Sequence, residues 1–136
     1  MDFVQKTEPS TDTSWQGNCY GNAIEFLVEH RGAINYLVCH GIVRGQGPNK
    51  GNYIAHAWVE DEHFAYDHDA STNNVTRIPK GYYYHLGDID PNKVKRYNPA
   101  EVVMHATETG HGGPWDEELY NHAIHEEGSV YEPIEA

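Results

Sequence analysis

From Tyr20 onward the apolar residues Ile24, Leu27 and Val28 recur at helical spacing, and Gly32 follows Arg31 as a stop. This predicts a helix of about 12 residues that buries one stripe. The period then changes. "AINYLVCHGIVRG" (33–45) is rich in β-branched and aromatic residues and ends at the glycine, proline and asparagine of "GQGPNKG", so a strand followed by a loop is expected. "NYIAHAWVE" resumes strand character, "DE" turns it, and "HFAYD" returns as the second arm of a hairpin. One helix followed by three consecutive strands predicts an α+β fold, with the helix packed on a small antiparallel sheet.

Beyond Asp69 the pattern predicts a strand at "VTRI", a loop or short helix in "PKGYYYHLGDIDPN" and a strand at "KVKRY". Asn98 before Pro99, with Glu101 soon after, is a helix-start signature for "PAEVVMHATE". "TGHGGPWD" breaks that helix, and an acidic helix, "DEELYNHAIHEE", closes the chain as additional C-terminal helical structure. Residues 1–14 are polar and rich in Ser, Thr and Asp, and are read as an N-terminal arm. Residues 15–136 are read as a single domain.

A chain of 136 residues has room for one hydrophobic core, and aromatics at 12% with 10 tyrosines give that core an aromatic character. The formal charge of −12 opposes binding to phosphate backbones and to anionic membrane surfaces. No run approaches the roughly 18 apolar residues of a membrane span, and no basic-then-apolar signal begins the chain, so the expectation is a soluble, cytoplasmic protein. Two cysteines, Cys19 and Cys39, are too few for a secreted disulfide framework.

Cys19 stands at the predicted helix N-terminus, where backbone amides and the helix dipole favour a thiolate, and Gly17, Asn18 and Gly21 leave room for a substrate chain to approach it. His56 lies mid-strand between Ala55 and Ala57, sharing a face with Ile54 and Trp58. The hairpin brings an acid alongside, and Asp67 is preferred over Asp69 because it ends the strand rather than entering the loop. Thiolate, imidazole and orienting carboxylate are the three groups a cysteine hydrolase needs, and no cofactor enters that chemistry. Trp58 and the run Tyr82 to Tyr84 are candidates for a substrate cleft, Asn18 for substrate binding, and Cys39 reads as a packing residue.

"NCYGNAIEFL", then "HAWVE", then an Asp after a short apolar strand resembles the Cys, His, Asp order of the papain-like and transglutaminase-like superfamily. The resemblance covers roughly residues 15 to 70. It implies Cys19 as nucleophile, His56 as general base and acid, Asp67 as orienting acid with Asp69 the alternative, and Gln16 as an oxyanion donor beside the cysteine amide, with Gln5 more distant. A peptide or protein substrate follows from it. "DHDAST" stands where transglutaminases carry "DPT", which moves the expectation toward peptide or amide hydrolysis.

Two other readings compete. An acidic, catalytically silent binding module of phage type would use the groove to hold a basic partner. A metal-binding protein would draw on His122, His125 and Glu126, with His105 and His111, but neither an HExxH nor a paired CxxC spacing is present, and metal ligands are not expected. His63, His68 and His85 are read as solvated surface histidines.

Overall fold

The computed structural model describes residues 18–30, 35–45, 51–69 and 74–126. The order of elements is α1 (Asn18–Glu29), β1 (Leu37–Arg44), β2 (Tyr53–Glu60), β3 (Phe64–Asp69), β4 (Asn74–Pro79), α2 (Lys80–Leu86), β5 (Lys95–Tyr97), α3 (Pro99–Thr109) and α4 (Glu117–Ile124). The five strands form one antiparallel sheet in the order β4-β3-β2-β1-β5. The α+β architecture expected from the pattern is therefore present, with the helix bearing Cys19 packed on the sheet. The predicted arm at residues 1–14, Gln5, Gln16 and the stop at Gly32 lie outside the described residues.

Strand alternation sorts the core into two layers. On the α1 side, Val38, Ala57 and Val59 meet Tyr20, Ala23, Phe26 and Leu27 of the helix. On the other side, Cys39, Trp58 and Ala65 pack with Tyr83, Ile89 and Val94. The helix stripe is centred on Tyr20, Ala23 and Leu27, an i, i+3, i+7 set, so Val28 falls outside it and is exposed rather than buried as its spacing from Ile24 suggested.

The C-terminal helices start as their local chemistry demands. The Asn98 side chain accepts from the Glu101 amide while Glu101 accepts from the Asn98 amide, and Gly110 ends α3 in the left-handed region at φ 77°. Asp116 caps α4 by accepting from the Leu119 amide. Among the described residues no helix is long and apolar enough to cross a membrane.

His40 is the one fully buried histidine of this core, at 0% exposure. Its ring lies 4.7 Å from Tyr20, 5.0 Å from Tyr97 and 5.1 Å from Trp115, centroid to centroid, and neither ring nitrogen has a hydrogen-bond partner among the described residues. Gly113 closes over it. A Cβ there would stand 2.6 Å from His40 Cε1, and its φ of 118° suits only glycine. Burial, followed by His105 and His56, pushes the His40 pKa down to about 3.

A lowered histidine value means that the unfolded chain binds a proton the folded one refuses. The associated stability is complete above about 6.5 and is lost as pH falls toward 3. At pH 4 the loss amounts to roughly 3 kcal/mol. In urea titrations at pH 7 and pH 4, His40→Leu should therefore show a smaller drop in midpoint than the wild type does. Equal drops in the two proteins would refute the assignment.

Candidate active site

The turn at Asp61 to His63 sets the geometry of the site. Asp61 Oδ1 accepts from the His63 and Phe64 amides at 2.9 and 2.8 Å, and the hairpin register follows as Val59↔Tyr66 and Glu60↔Ala65. Among the described residues these are the paired positions between β2 and β3, and none is paired from Trp58 back toward His56. Helix α1 packs against both strands.

Parity places His56, Trp58 and Glu60 on one face of β2, with Ala65 and Asp67 on the matching face of β3. His56 Nε2 donates to Asp67 Oδ1 at 2.9 Å, a diagonal contact across the hairpin. Cys19, from the start of α1, is near enough for its charge to act on the same ring. The Nε2 bond to Asp67 leaves Nδ1 as the second ring nitrogen. Cys19, His56 and Asp67 thus come together from α1, β2 and β3.

Burial alone would push His56 below its ordinary value of 6.5, but the Asp67 carboxylate and then the Cys19 sulfur outweigh it and hold the imidazole well above that value. The side chains of His56 and Asp67 are 16% and 24% exposed, so the pair is shielded yet reachable from solvent. The first amides of α1, beside Cys19, have no intrahelical acceptor and are available to a developing negative charge.

Tyr83 completes the arrangement. Its hydroxyl donates to Asp67 Oδ2 at 2.7 Å, so the carboxylate is held by the histidine on one oxygen and the tyrosine on the other. Burial and the Asp67 charge push the Tyr83 hydroxyl well above the usual phenol range, which keeps it a donor. Trp58 packs against the Tyr83 ring at 5.4 Å between centroids. The sequence reading took Tyr83 only as one of a run, but the burial of Tyr83 between exposed Tyr82 and half-buried Tyr84 singles it out.

Other expectations met different outcomes. Trp58 was expected at a substrate cleft but is 1% exposed, with its indole N–H directed to Glu60 at 3.1 Å, and so it forms the floor beneath His56. Asn18 opens α1 next to the thiol, and Asp69 ends β3 with its backbone paired to Asn74. Cys39 is fully buried, and burial followed by the Glu60 charge pushes its thiol well up. His68 is not a solvated surface group: half-buried, its Nδ1 accepts from Asn22 Nδ2 at 3.2 Å near Cys19. His63 and His85 are exposed.

The histidines of α4 do not converge on an ion. His122 Nε2 donates to the Tyr53 carbonyl at 2.9 Å, and His125 Nδ1 donates to the Asn121 carbonyl at 2.7 Å. Among the described residues no group of three or more His, Cys, Asp or Glu is placed to hold a metal. Comparison of the chain with protein-family models, curated proteins and solved structures returns no significant match. The functional reading therefore rests on the geometry and chemistry of the site.

Proposed function

We propose that this protein is a cysteine-dependent hydrolase of peptidase or amidase type, similar in chemistry to the papain-like and transglutaminase-like superfamily. The observation that supports the reading is the His56 Nε2 bond to Asp67 at 2.9 Å, with Cys19, at the start of α1, near enough for its charge to act on the same imidazole. A histidine tied to a carboxylate on one side and a helix-start thiol on the other has the orientation that nucleophilic catalysis requires.

In this reading the Cys19 sulfur attacks a carbonyl carbon, forming a C–S bond and placing negative charge on oxygen beside the first-turn amides of α1. The His56 imidazolium gives its proton to the leaving nitrogen as the C–N bond breaks. Water, losing a proton to His56, then releases the acid and regenerates the thiol. Asp67 holds the ring throughout. Gln16 remains the proposed additional oxyanion donor, and Asn18 a proposed contact to substrate. The partner is a peptide or protein, no cofactor takes part, and a cytoplasmic setting suits a chain with two free thiols and a charge of −12.

The test is site-resolved labelling with iodoacetamide at pH 6, followed by peptide mass spectrometry. Cys19 should be modified at least about tenfold faster than Cys39 in the folded protein. Comparable slow labelling at both positions would remove the proposal and leave the acidic binding module as the better account.

A further inference from the structure

The separation of β2 from β3 leaves one edge of β2 without a strand partner. In an antiparallel strand the N–H and C=O of residues 53 and 55 point to the same edge, and here that edge faces away from β1. Two of these four groups have side-chain partners. The Ala55 amide donates to Glu126 Oε2 at 2.6 Å, and the Tyr53 carbonyl accepts from His122 Nε2 at 2.9 Å. His122 and Glu126 are four residues apart at the end of α4, with His122 Nε2 3.8 Å from Glu126 Oε2. Two side chains thus supply what a continuing β3 would have supplied from its backbone.

We propose that His122 and Glu126 form a clasp that replaces the missing strand along β2 and sets the position of the His56 ring. The clasp grips the residue directly before His56, so a shift of Ala55 moves the imidazole relative to Cys19 and Asp67. Its role in activity rests on the cysteine-hydrolase reading above. Glu126 is a positioning residue: it acts through the strand and through its charge. Continuing β3 in register would place Asp69 opposite His56 and close the gap in which Cys19 meets the ring, so the substitution of side chains for a strand keeps the site open.

The ionisable groups that act on His56 are Asp67 from β3 and Cys19 from α1, with His40 from β1 and Glu126 after α4 coupled to it by charge and Tyr83 from α2 reaching it through Asp67. Those facing Glu126 are His122 and His56. Burial raises the Glu126 carboxyl, while the Ala55 amide, His122 and His56 draw it back down.

The experiment compares the wild type with Glu126→Gln and Glu126→Ala in the full chain. It reads amide hydrogen exchange at Ala55, the NMR titration of the His56 imidazole, and Cys19 alkylation at pH 6. Glutamine keeps an acceptor for the amide, so protection at Ala55 should stay within about twofold, while the His56 titration moves to lower pH because a facing negative charge is gone. Alanine should lose about tenfold in protection and about tenfold in alkylation rate.

Wild-type protection and wild-type His56 titration in both variants would overturn the clasp. If the alanine variant does not fold, an unshifted His56 titration in the glutamine variant is enough to overturn it. Failure of the hydrolase reading is a separate result: alkylation would then be insensitive to His56→Ala, while the exchange at Ala55 would still report the clasp.

Discussion

His56→Ala is expected to slow the alkylation of Cys19 at pH 6 by about two orders of magnitude, the scale on which a positioned base acts. The reason is the sign of the His56 shift. Asp67 and Cys19 hold the imidazole well above 6.5, so at pH 6 it is a cation beside the sulfur. A raised histidine value contributes stability that is fully present below about 6.5 and is lost only as pH rises through the folded-state value. Reaction at the thiol should therefore persist on the acid side of neutrality in the wild type and climb steadily with pH in the variant. A rate change of less than about threefold at pH 6, with the fold retained by circular dichroism, would refute a role for His56 at the sulfur.

The second large effect is on stability. Glu60 is 1% exposed at the centre of the sheet and accepts from Trp58 Nε1 at 3.1 Å, the Tyr84 hydroxyl at 2.8 Å and Arg96 Nε at 2.9 Å, with Lys80 Nζ at 3.7 Å. Burial would raise its carboxyl, but hydrogen bonds from Arg96, Tyr84 and Trp58 prevail and lower it. Its contribution is therefore present above the ordinary value of 4.5 and lost as pH falls through the lowered one.

Arg96→Ala leaves a buried carboxylate without its main counter-charge. Because the arginine side chain is itself 34% exposed, the lower end of the usual penalty applies, about 3 kcal/mol, or roughly 10 °C in melting temperature. Thermal melts at pH 7 measure this, and Glu60→Leu on the Arg96→Ala background should recover part of the loss. A loss below about 1 kcal/mol would place Arg96 among ordinary surface cations.

The sequence pattern carried the hairpin, the face of His56 and the capping box of α3 because each depends on residues a few positions apart. It favoured Asp67 over Asp69 by ending the strand at Asp67, but β3 runs on to Asp69, so that ground for the choice does not hold. In the structure the Asp67 carboxylate carries the contacts, with His56 on one oxygen and Tyr83 on the other. Tyr83 stands 16 residues from Asp67, and Glu126 stands 71 residues from Ala55. No local periodicity reports contacts of that range. Trp58 was misplaced for a related reason: alternation tells which face a side chain takes, but α2 and the segment leading to β5 decide whether that face is covered.

The His56 to Asp67 bond spans 11 residues within one hairpin, whereas Cys19 lies 37 residues before His56 on a separate helix. Short-range pairings form early in folding and distant dockings later, because loop closure costs more for the longer span. The base and its carboxylate would thus assemble first, and the sulfur would join when α1 seats against the sheet. The hairpin pair can therefore form without α1, and the surroundings of the Cys19 sulfur are complete only once that helix has seated against the sheet.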